Sequence, residues 1–345
     1  MDVKTIKIKA EPAFGVAVCA GAKDFLAVAA ENAKNILIVS DDILYKLYGQ
    51  NIKRTFEEEG YSVYTFNYPA AENGKSKHLL DKLLILMTEI NMSRNDLFVA
   101  MGGETVFSLV GFAAAIFKGG ISYVNLPTTL YSMTGPCISG KVGIDFLGRN
   151  DLFSAVKYPQ AVFCDTEIMK TQDKAGYMRG LAEITRSALV GDKRLFSSML
   201  AGDFSVEEGI VSSLKLRAKA ELGGGTSAYY KKRLTLGEPF AHAARAVSHY
   251  VLTEGEALAV GLIMAAEVSE LLGETVGVKD QIAEAFDKIG VNYNVNVKKS
   301  DVAEYILSDE KIKNLGIELV LIKQSGNCVT RVCNAELLKE VGFGR

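Results

Sequence analysis

The residues with the clearest chemical potential lie in the segment GEPFAHAARAVSHYVLTEGEALAVG. Glu238 and His242 are four residues apart in it, so on a helix they share one face. Glu254 follows just before a small-residue helix, and Glu183 lies in GLAEITRSALVGD, on another apolar helix. Carboxylates on such helices are costly unless something positive meets them. The pattern indicates a metal-binding segment rich in carboxylates, and the alternative for any one glutamate is a helix cap or a surface acid.

The first half of the chain alternates apolar strand-like runs with helical segments. The strand candidates are residues 35–40, 61–69, 96–103 and 121–129. Alternation of this kind predicts a parallel sheet with helices on both faces, the Rossmann-like class. Ligands of such sheets bind beyond the carboxyl ends of the strands. Here those ends carry Ser40–Asp42, Glu72–Lys75, Gly102–Gly103 and Thr128–Thr129.

From about residue 172 the apolar residues recur at i, i+3 and i+4, which is typical of helices. Only the run 317–323 has the pattern of a late strand. The predicted fold is therefore an α/β Rossmann-like N-terminal domain, residues 1–170, followed by an all-α C-terminal domain, residues 171–345. We expect the first domain to bind a nucleotide and the second to carry the metal and substrate groups.

Composition narrows the classes of function. The chain has 345 residues, of which 48% are hydrophobic, and a net charge of −2, as expected for a soluble globular protein of about two domains. No apolar run approaches the ~18 residues of a membrane span, and no basic cluster favours nucleic-acid binding. The five cysteines lack CxxC spacing, which indicates reduced thiols in a cytoplasm. Because there are only three histidines, we expect any metal site here to be dominated by carboxylates or to be poorly populated.

Five segments together carry a family resemblance. They are AMGGETVFSLVGFAAA, PTTLYSMTGPCISGKVGID, PQAVFCDTEIMKT, GLAEITRSALVGD and EGEALAVGLIMAAE. In order and spacing they resemble the 3-dehydroquinate synthase family, the sugar-phosphate cyclases. In that family bound NAD oxidises a substrate hydroxyl, phosphate is eliminated, the NADH reduces the ketone, and an aldol step closes the ring, while zinc polarises the reacting oxygens. The resemblance also implies a homodimer and a small anionic substrate similar to a sugar phosphate.

The resemblance implies a set of metal ligands. Its three positions fall on Glu183, Glu238 and Glu254, and the last two replace histidines of the family. Three carboxylates are harder ligands than one carboxylate with two imidazoles, which favours Mg²⁺ or Mn²⁺ over Zn²⁺. The alternative is that no metal binds and that the glutamates pair with nearby basic residues, namely Lys231, Lys232, Arg233 or Arg245.

Nucleotide and substrate residues are implied in the same way. The positions expected around NAD are Asp41, Glu72, Lys75, Gly102, Gly103, Thr128 and Thr129. Those expected at the substrate are Lys141, Asn150 and His242, together with Arg186, where the family has lysine, and Lys231, where it has arginine.

Two departures from the family pattern concern the nucleotide. The third glycine of the family's GGGxxGD turn is Glu104 here, which adds bulk and a like charge where a pyrophosphate would approach, and its final GD pair is Phe107–Ser108. The family's DSSVGGK loop has lost its aspartate and gained Pro136, which stiffens the turn. The sequence therefore predicts that NAD binding is weak or lost.

Several functions stay open at this point. The favoured one is a divergent, phosphate-eliminating lyase of the cyclase family that acts on a phosphorylated sugar or polyol with an altered metal site. The alternatives are a non-catalytic homologue that binds a small anion, an authentic 3-dehydroquinate synthase, and a polyol or glycerol dehydrogenase.

Overall fold

Nine strands form in the first half of the chain in the computed structural model, which describes residues 3–10 and 12–343. The strands are β1 (Lys4–Ile8), β2 (Phe14–Cys19), β3 (Asn35–Asp41), β4 (Ser62–Tyr68), β5 (Leu97–Gly102), β6 (Ser122–Pro127), β7 (Lys141–Phe146), β8 (Arg149–Val156) and β9 (Ala161–Asp165). The four strands predicted from the apolar runs are β3, β4, β5 and β6.

Seven of these strands join into one sheet in the order β1-β2-β9-β6-β5-β3-β4. Apart from the antiparallel pair β1–β2, all neighbours in it are parallel. The central strand β5, LFVAMG, is buried along its whole length, as expected where helices cover both faces of a parallel sheet. β7 and β8 form a separate antiparallel hairpin. The parallel sheet confirms the α/β, Rossmann-like class, whereas the hairpin was not predicted.

Five α-helices accompany these strands, together with the nine-residue 3₁₀ helix Ala22–Ala30, shorter 3₁₀ segments and one π-helical turn, Tyr45–Gly49. The helices are α1 (Asp42–Leu44), α2 (Gln50–Glu58), α3 (Lys77–Glu89), α4 (Glu104–Ile116) and α5 (Leu130–Met133). α4 is apolar almost throughout and is buried from Val106 to Ala114. At Gly111 an added Cβ would collide with the side chain of Val142, so glycine lets α4 pack directly on β7.

The second half of the chain is mainly helical. Its helices are α6 (Lys174–Gly191), α7 (Lys193–Ala201), α8 (Val206–Leu222), α9 (Ser227–Arg233), α10 (Glu238–Val247), α11 (Glu254–Leu271), α12 (Val278–Ile289), α13 (Lys299–Leu307), α14 (Glu310–Leu315) and α15 (Ala335–Phe343). The predicted late strand is β10 (Ile317–Gln324), and it pairs with β11 (Asn327–Cys333), which was not predicted. The helical class is confirmed, with this hairpin as an addition to the expected all-α domain.

The chain divides into two compact units, Met1–Gln172 and Asp173–Arg345. Within residues 3–10 and 12–343, no helix has the length and apolar character needed to cross a membrane.

Glycines bring α6, α10 and α11 into backbone contact within the second unit. A Cβ added at Gly237, whose φ is 77°, would lie 2.9 Å from the backbone of Gly261. A Cβ added at Gly255 would lie 2.7 Å from the backbone nitrogen of Arg179. Since Glu238 and Glu254 are the first residues of α10 and α11, these close approaches hold both carboxylates beside α6.

Candidate active site

The carboxyl ends of β3 and β4 bring two of the predicted nucleotide residues near one buried phenol. Asp41 caps α1, where its carboxylate accepts hydrogen bonds from the backbone of Ile43 at 3.0 Å and of Leu44 at 2.9 Å. Burial raises the pKa of Tyr68 to about 12, and the negative charges of Asp41 and Glu72 add to that effect. Tyr68 was missed in the sequence analysis, although it lies in a predicted strand and ends β4.

The glycine turn after β5 has the form of an anion cradle. A Cβ on Gly102 would lie 2.5 Å from Val106 of α4, whereas a Cβ on Gly103 would meet nothing within 4 Å, so open space adjoins the start of the helix. The backbone of Thr128 donates to the carbonyl of Gly102 at 3.1 Å and joins this turn to the end of β6. Backbone NH groups at a helix start favour phosphate, and the turn therefore fits the pyrophosphate of NAD.

Glu104 lies at the same helix start. It is exposed, it is the first residue of α4, and its carboxylate accepts a hydrogen bond from the hydroxyl of Tyr131 at 3.4 Å. Thr129 begins α5 through a capping box with Ser132. A carboxylate at the positive end of a helix stabilises the helix, but it also opposes a second anion there.

Two other departures from the family pattern are accommodated by hydrogen bonds inside the first unit. Ser108 is buried, donates to the carbonyl of Gly143 at 2.8 Å and accepts from its NH at 3.0 Å, which ties α4 to β7. Pro136 starts a 3₁₀ turn whose next residue, Cys137, accepts a hydrogen bond through its carbonyl from the amide of Asn125 at 2.8 Å.

Lys75, expected at the nucleotide, and Lys141, expected at the substrate, converge on Asp151, a residue that the sequence analysis missed. The carboxylate of Asp151 pairs with Lys75 and lies 3.3 Å from Nζ of Lys141, while Lys75 is also 3.7 Å from Asp145. Burial would raise the pKa of Asp151, but the two lysines outweigh it and hold that pKa below its ordinary value. The predicted substrate residue Asn150 is exposed and immediately precedes Asp151 on β8.

Two of the three predicted metal ligands meet at an arginine. Arg186 donates from Nη2 to Glu183 at 2.5 Å and from Nη1 to Glu238 at 2.9 Å. Its side chain is only 9% exposed. The structure thus brings Glu183 and Glu238 together, with a guanidinium between them.

Glu254 faces two other arginines. Arg245 of α10 donates to it at 3.0 Å, and Arg179 of α6 forms a second ion pair with it. In the part of the chain that the structure describes, no three His, Cys, Asp or Glu side chains are grouped so that they could hold a metal ion. The carboxylates do not fit a divalent cation in this arrangement, because guanidinium groups pair with one oxygen each of Glu183 and Glu238 and with both oxygens of Glu254.

The remaining candidates lie on α9 and α10. Lys231 is exposed on α9, while its neighbours contact the β10–β11 hairpin: Lys232 pairs with Glu318 at 2.6 Å and Arg233 donates to the carbonyl of Cys328. Four basic residues were suggested as partners for the three glutamates, and among the described contacts Arg245 pairs with one of them, Glu254.

His242 is exposed one turn after Glu238 and lines a pocket of about 440 Å³. The other walls of this pocket include Pro239, Tyr305, Ile306, Ser308 and Ile317.

Comparison with known proteins assigns the family. The family model for the N-terminal part of 3-dehydroquinate synthase matches residues 65–179, and the model for its C-terminal part matches residues 180–312. The 3-dehydroquinate synthase of Nitratiruptor sp. is 30% identical over 299 residues, covering 82% of this chain and 84% of that protein. The enzyme of the same name from Clostridium acetobutylicum is 28% identical over 308 residues, 86% of each chain.

Solved structures agree on the fold. A crystal structure of 2-deoxy-scyllo-inosose synthase complexed with carbaglucose-6-phosphate, NAD⁺ and Co²⁺ has a TM-score of 0.80 at 17% identity and covers 99% of this chain and 100% of that one. A 2-epi-5-epi-valiolone synthase from Streptomyces hygroscopicus with NAD⁺ and Zn²⁺ bound has a TM-score of 0.75 at 20% identity, with 95% of each chain covered.

The fold is thus that of the sugar-phosphate cyclases, an α/β unit followed by a helical unit. This chain belongs to the 3-dehydroquinate synthase family, and the resemblance drawn from its motifs is confirmed.

Proposed function

We propose that this chain is a divergent carbon–oxygen lyase that eliminates phosphate from a small phosphorylated sugar or polyol. The observation that carries the proposal is the convergence of Lys75 and Lys141 on the carboxylate of Asp151, with Asp145 as a more distant second partner of Lys75 at 3.7 Å. Two ammonium groups that together hold one carboxylate can equally hold the phosphate or carboxylate of a substrate. The complex of a structural relative with carbaglucose-6-phosphate supports the same substrate class.

In this proposal residues 1–170 form the nucleotide-binding domain. The Gly102–Gly103 turn would hold the pyrophosphate of NAD, with Asp41, Glu72, Thr128 and Thr129 toward the rest of the nucleotide. Bound there, NAD would supply reversible hydride transfer with the carbon that bears a substrate hydroxyl. Glu104 adds a like charge beside the pyrophosphate, so we expect weak binding of NAD.

Residues 171–345 would contribute the proton-transfer and orienting groups. His242 is exposed beside a pocket of about 440 Å³, which suits a side chain that exchanges a proton with a bound ligand. Lys231, which is exposed on α9, would add a contact to an anionic ligand. No step is assigned to Mg²⁺, Mn²⁺ or Zn²⁺, because the candidate ligands are bound to arginines.

The proposal includes a cytoplasmic homodimer. Family membership supports the dimer, and five buried, free cysteines agree with a reducing compartment. Light scattering at micromolar concentration tests the dimer, and a strict monomer would count against it.

Release of inorganic phosphate tests the activity. The purified protein is incubated with NAD and a panel of hexose and heptulose phosphates that includes the substrate of 3-dehydroquinate synthase, so authentic synthase activity would be detected directly. We expect release from at least one sugar phosphate. Lys141→Met should weaken its binding by up to about fivefold, since a solvent-exposed ion pair contributes about 0.2–1 kcal/mol.

Lys170→Met is the matched control for that variant. The side chains of Lys141 and Lys170 are both 64% exposed, and Lys170 pairs only with its helical neighbour Glu167 among the described contacts. Absence of phosphate release from the whole panel would refute the lyase.

A non-catalytic homologue that binds a small anion is the second candidate. The pairing of all three candidate metal ligands with arginines favours it, because that arrangement leaves the family's Lewis-acid chemistry without a cation. Calorimetry together with the phosphate-release assay distinguishes the two candidates. If the protein is a non-catalytic binder, a sugar phosphate binds, Lys141→Met weakens that binding, and no phosphate is released.

A further inference from the structure

We infer that Arg186 takes the structural place of a divalent cation, so that this chain is a metal-independent member of its family. The inference goes beyond the proposed lyase, since it concerns how three helices are joined and not which substrate is used. It rests on the contacts of three arginines with three glutamates on α6, α10 and α11.

The first link joins α6 to α10. Arg186 and Glu183 lie one turn apart on α6, and Glu238 is the first residue of α10. The two Nη atoms of Arg186 each donate to a different carboxylate, at 2.5 Å and 2.9 Å. A divalent ion shared by two carboxylates would make the same connection, and the planar guanidinium makes it with defined geometry.

The second link adds α11. Glu254, the first residue of α11, is held by Arg179 from α6 and by Arg245 from α10. Each pair among these three helices is therefore joined by an ion pair, and the charges of the three guanidinium groups balance those of the three carboxylates. Both helix starts also favour a carboxylate, because the helix dipole is positive there.

An entering cation would have to displace these arginines. Arg186 is almost fully buried, and removing its partners would leave an enclosed guanidinium beside a new positive charge. An uncompensated buried charge of this kind is strongly destabilising. The backbone contacts of Gly237 with Gly261 and of Gly255 with Arg179 pack the helices closely, so moving them apart to admit a cation would lose that packing. The wild-type protein should therefore exclude divalent ions from this position.

Metal analysis and melting curves of the wild-type protein are the first test. We expect substoichiometric Mg, Mn and Zn after purification without chelator, and the same melting temperature with EDTA, Mg²⁺, Mn²⁺ or Zn²⁺. Stoichiometric metal, or a melting temperature that falls with EDTA, would overturn the inference. This test needs no variant, so it stands even where a substitution prevents folding.

Replacing the guanidinium of Arg186 by an uncharged side chain is the second test. Arg186→Met leaves Glu183 and Glu238 available, and we expect Mn²⁺ to raise its melting temperature by about 5 °C at a concentration near 100 times the Kd. Adding Glu238→Gln should abolish that gain. Arg217→Met is the control, because its guanidinium pairs with one glutamate, Glu221, at 3.1 Å. An equal Mn²⁺ response in wild type and Arg186→Met would overturn the inference.

These readouts do not depend on turnover. If no sugar phosphate releases phosphate, the proposed lyase is wrong. A substoichiometric metal content and a melting temperature unaffected by EDTA would still support the role of Arg186. If phosphate is released, EDTA should leave the rate unchanged. A rate that EDTA abolishes and added metal restores would overturn the metal-independent assignment and leave the lyase standing.

Discussion

Asp151 forms an ion pair with Lys75, which reaches it from the segment before α3. The backbone of Asp151 is left-handed, with φ 50°, and its NH donates to the carboxylate of Asp145 at 2.9 Å. The carbonyl of Lys75 accepts from the NH of Asp145 at 2.8 Å, so the β7–β8 hairpin and the lysine segment are joined through backbone as well. In the proposed function this arrangement would be an anion site whose lysines are paired, in this structure, with a carboxylate of the chain itself. A substrate anion would have to compete with Asp151 for the lysines.

Asp151→Asn should therefore strengthen anion binding. The amide has the same shape but no charge, and the loss of one competing negative charge near two lysines corresponds to about a tenfold gain in affinity. Calorimetry with inorganic phosphate and with a hexose phosphate measures the effect. Asp81→Asn, which removes an exposed partner of Lys77, should leave both affinities unchanged. Unchanged affinity in Asp151→Asn would mean that the lysines are not an anion site.

The same carboxylate should make stability depend on acidity. Because the folded pKa of Asp151 lies below its ordinary value, its ion pairs stabilise the fold fully above the unfolded pKa of about 3.9. That contribution is lost as the pH falls through the folded pKa. Urea unfolding should show wild type more stable than Asp151→Asn at pH 6, with the difference shrinking below about pH 4. Asp96, whose pKa is also lowered, is present in both proteins and cancels from the difference. A difference that stays constant across this range would contradict the assignment.

The sequence predicted the central strands and the helices of the second unit because both carry a regular apolar period. The β7–β8 hairpin was not predicted, because most side chains of β8 are exposed and form no buried apolar run. Within the site, the pairing of Arg186 with Glu183 follows from spacing on one helix. Its second partner, Glu238, is 52 residues away, and Asp151 meets Lys75 only through the packing of the hairpin. Such pairs depend on tertiary structure, which local patterns do not encode.

Glu104→Gly should tighten NAD binding. Glu104 is exposed at the first position of α4, beside the open space at Gly103. Removal of one like charge near a phosphate contributes about 1–2 kcal/mol, or roughly a tenfold change in Kd. Calorimetric titration with NAD measures it, and Glu104→Gln separates the charge from the bulk of the side chain. Tight binding by wild type that neither substitution changes would show that Glu104 does not face the nucleotide.

Ser108→Ala should loosen the hairpin that carries Lys141 and Asp151. The hydroxyl of Ser108 satisfies both the NH and the carbonyl of Gly143, and the alanine variant would leave these buried groups without that partner. An unsatisfied buried polar group costs about 1–3 kcal/mol, which urea unfolding can resolve. Hydrogen exchange should quicken in β7 and β8 before it does in the central strand β5, because the lost bonds anchor only the hairpin to α4. Ser197→Ala, at an exposed position of α7, is the control and should change neither measurement. If Ser108→Ala unfolds like wild type and its hairpin exchanges no faster, then apolar packing between α4 and β7 suffices to hold the lysine site in place.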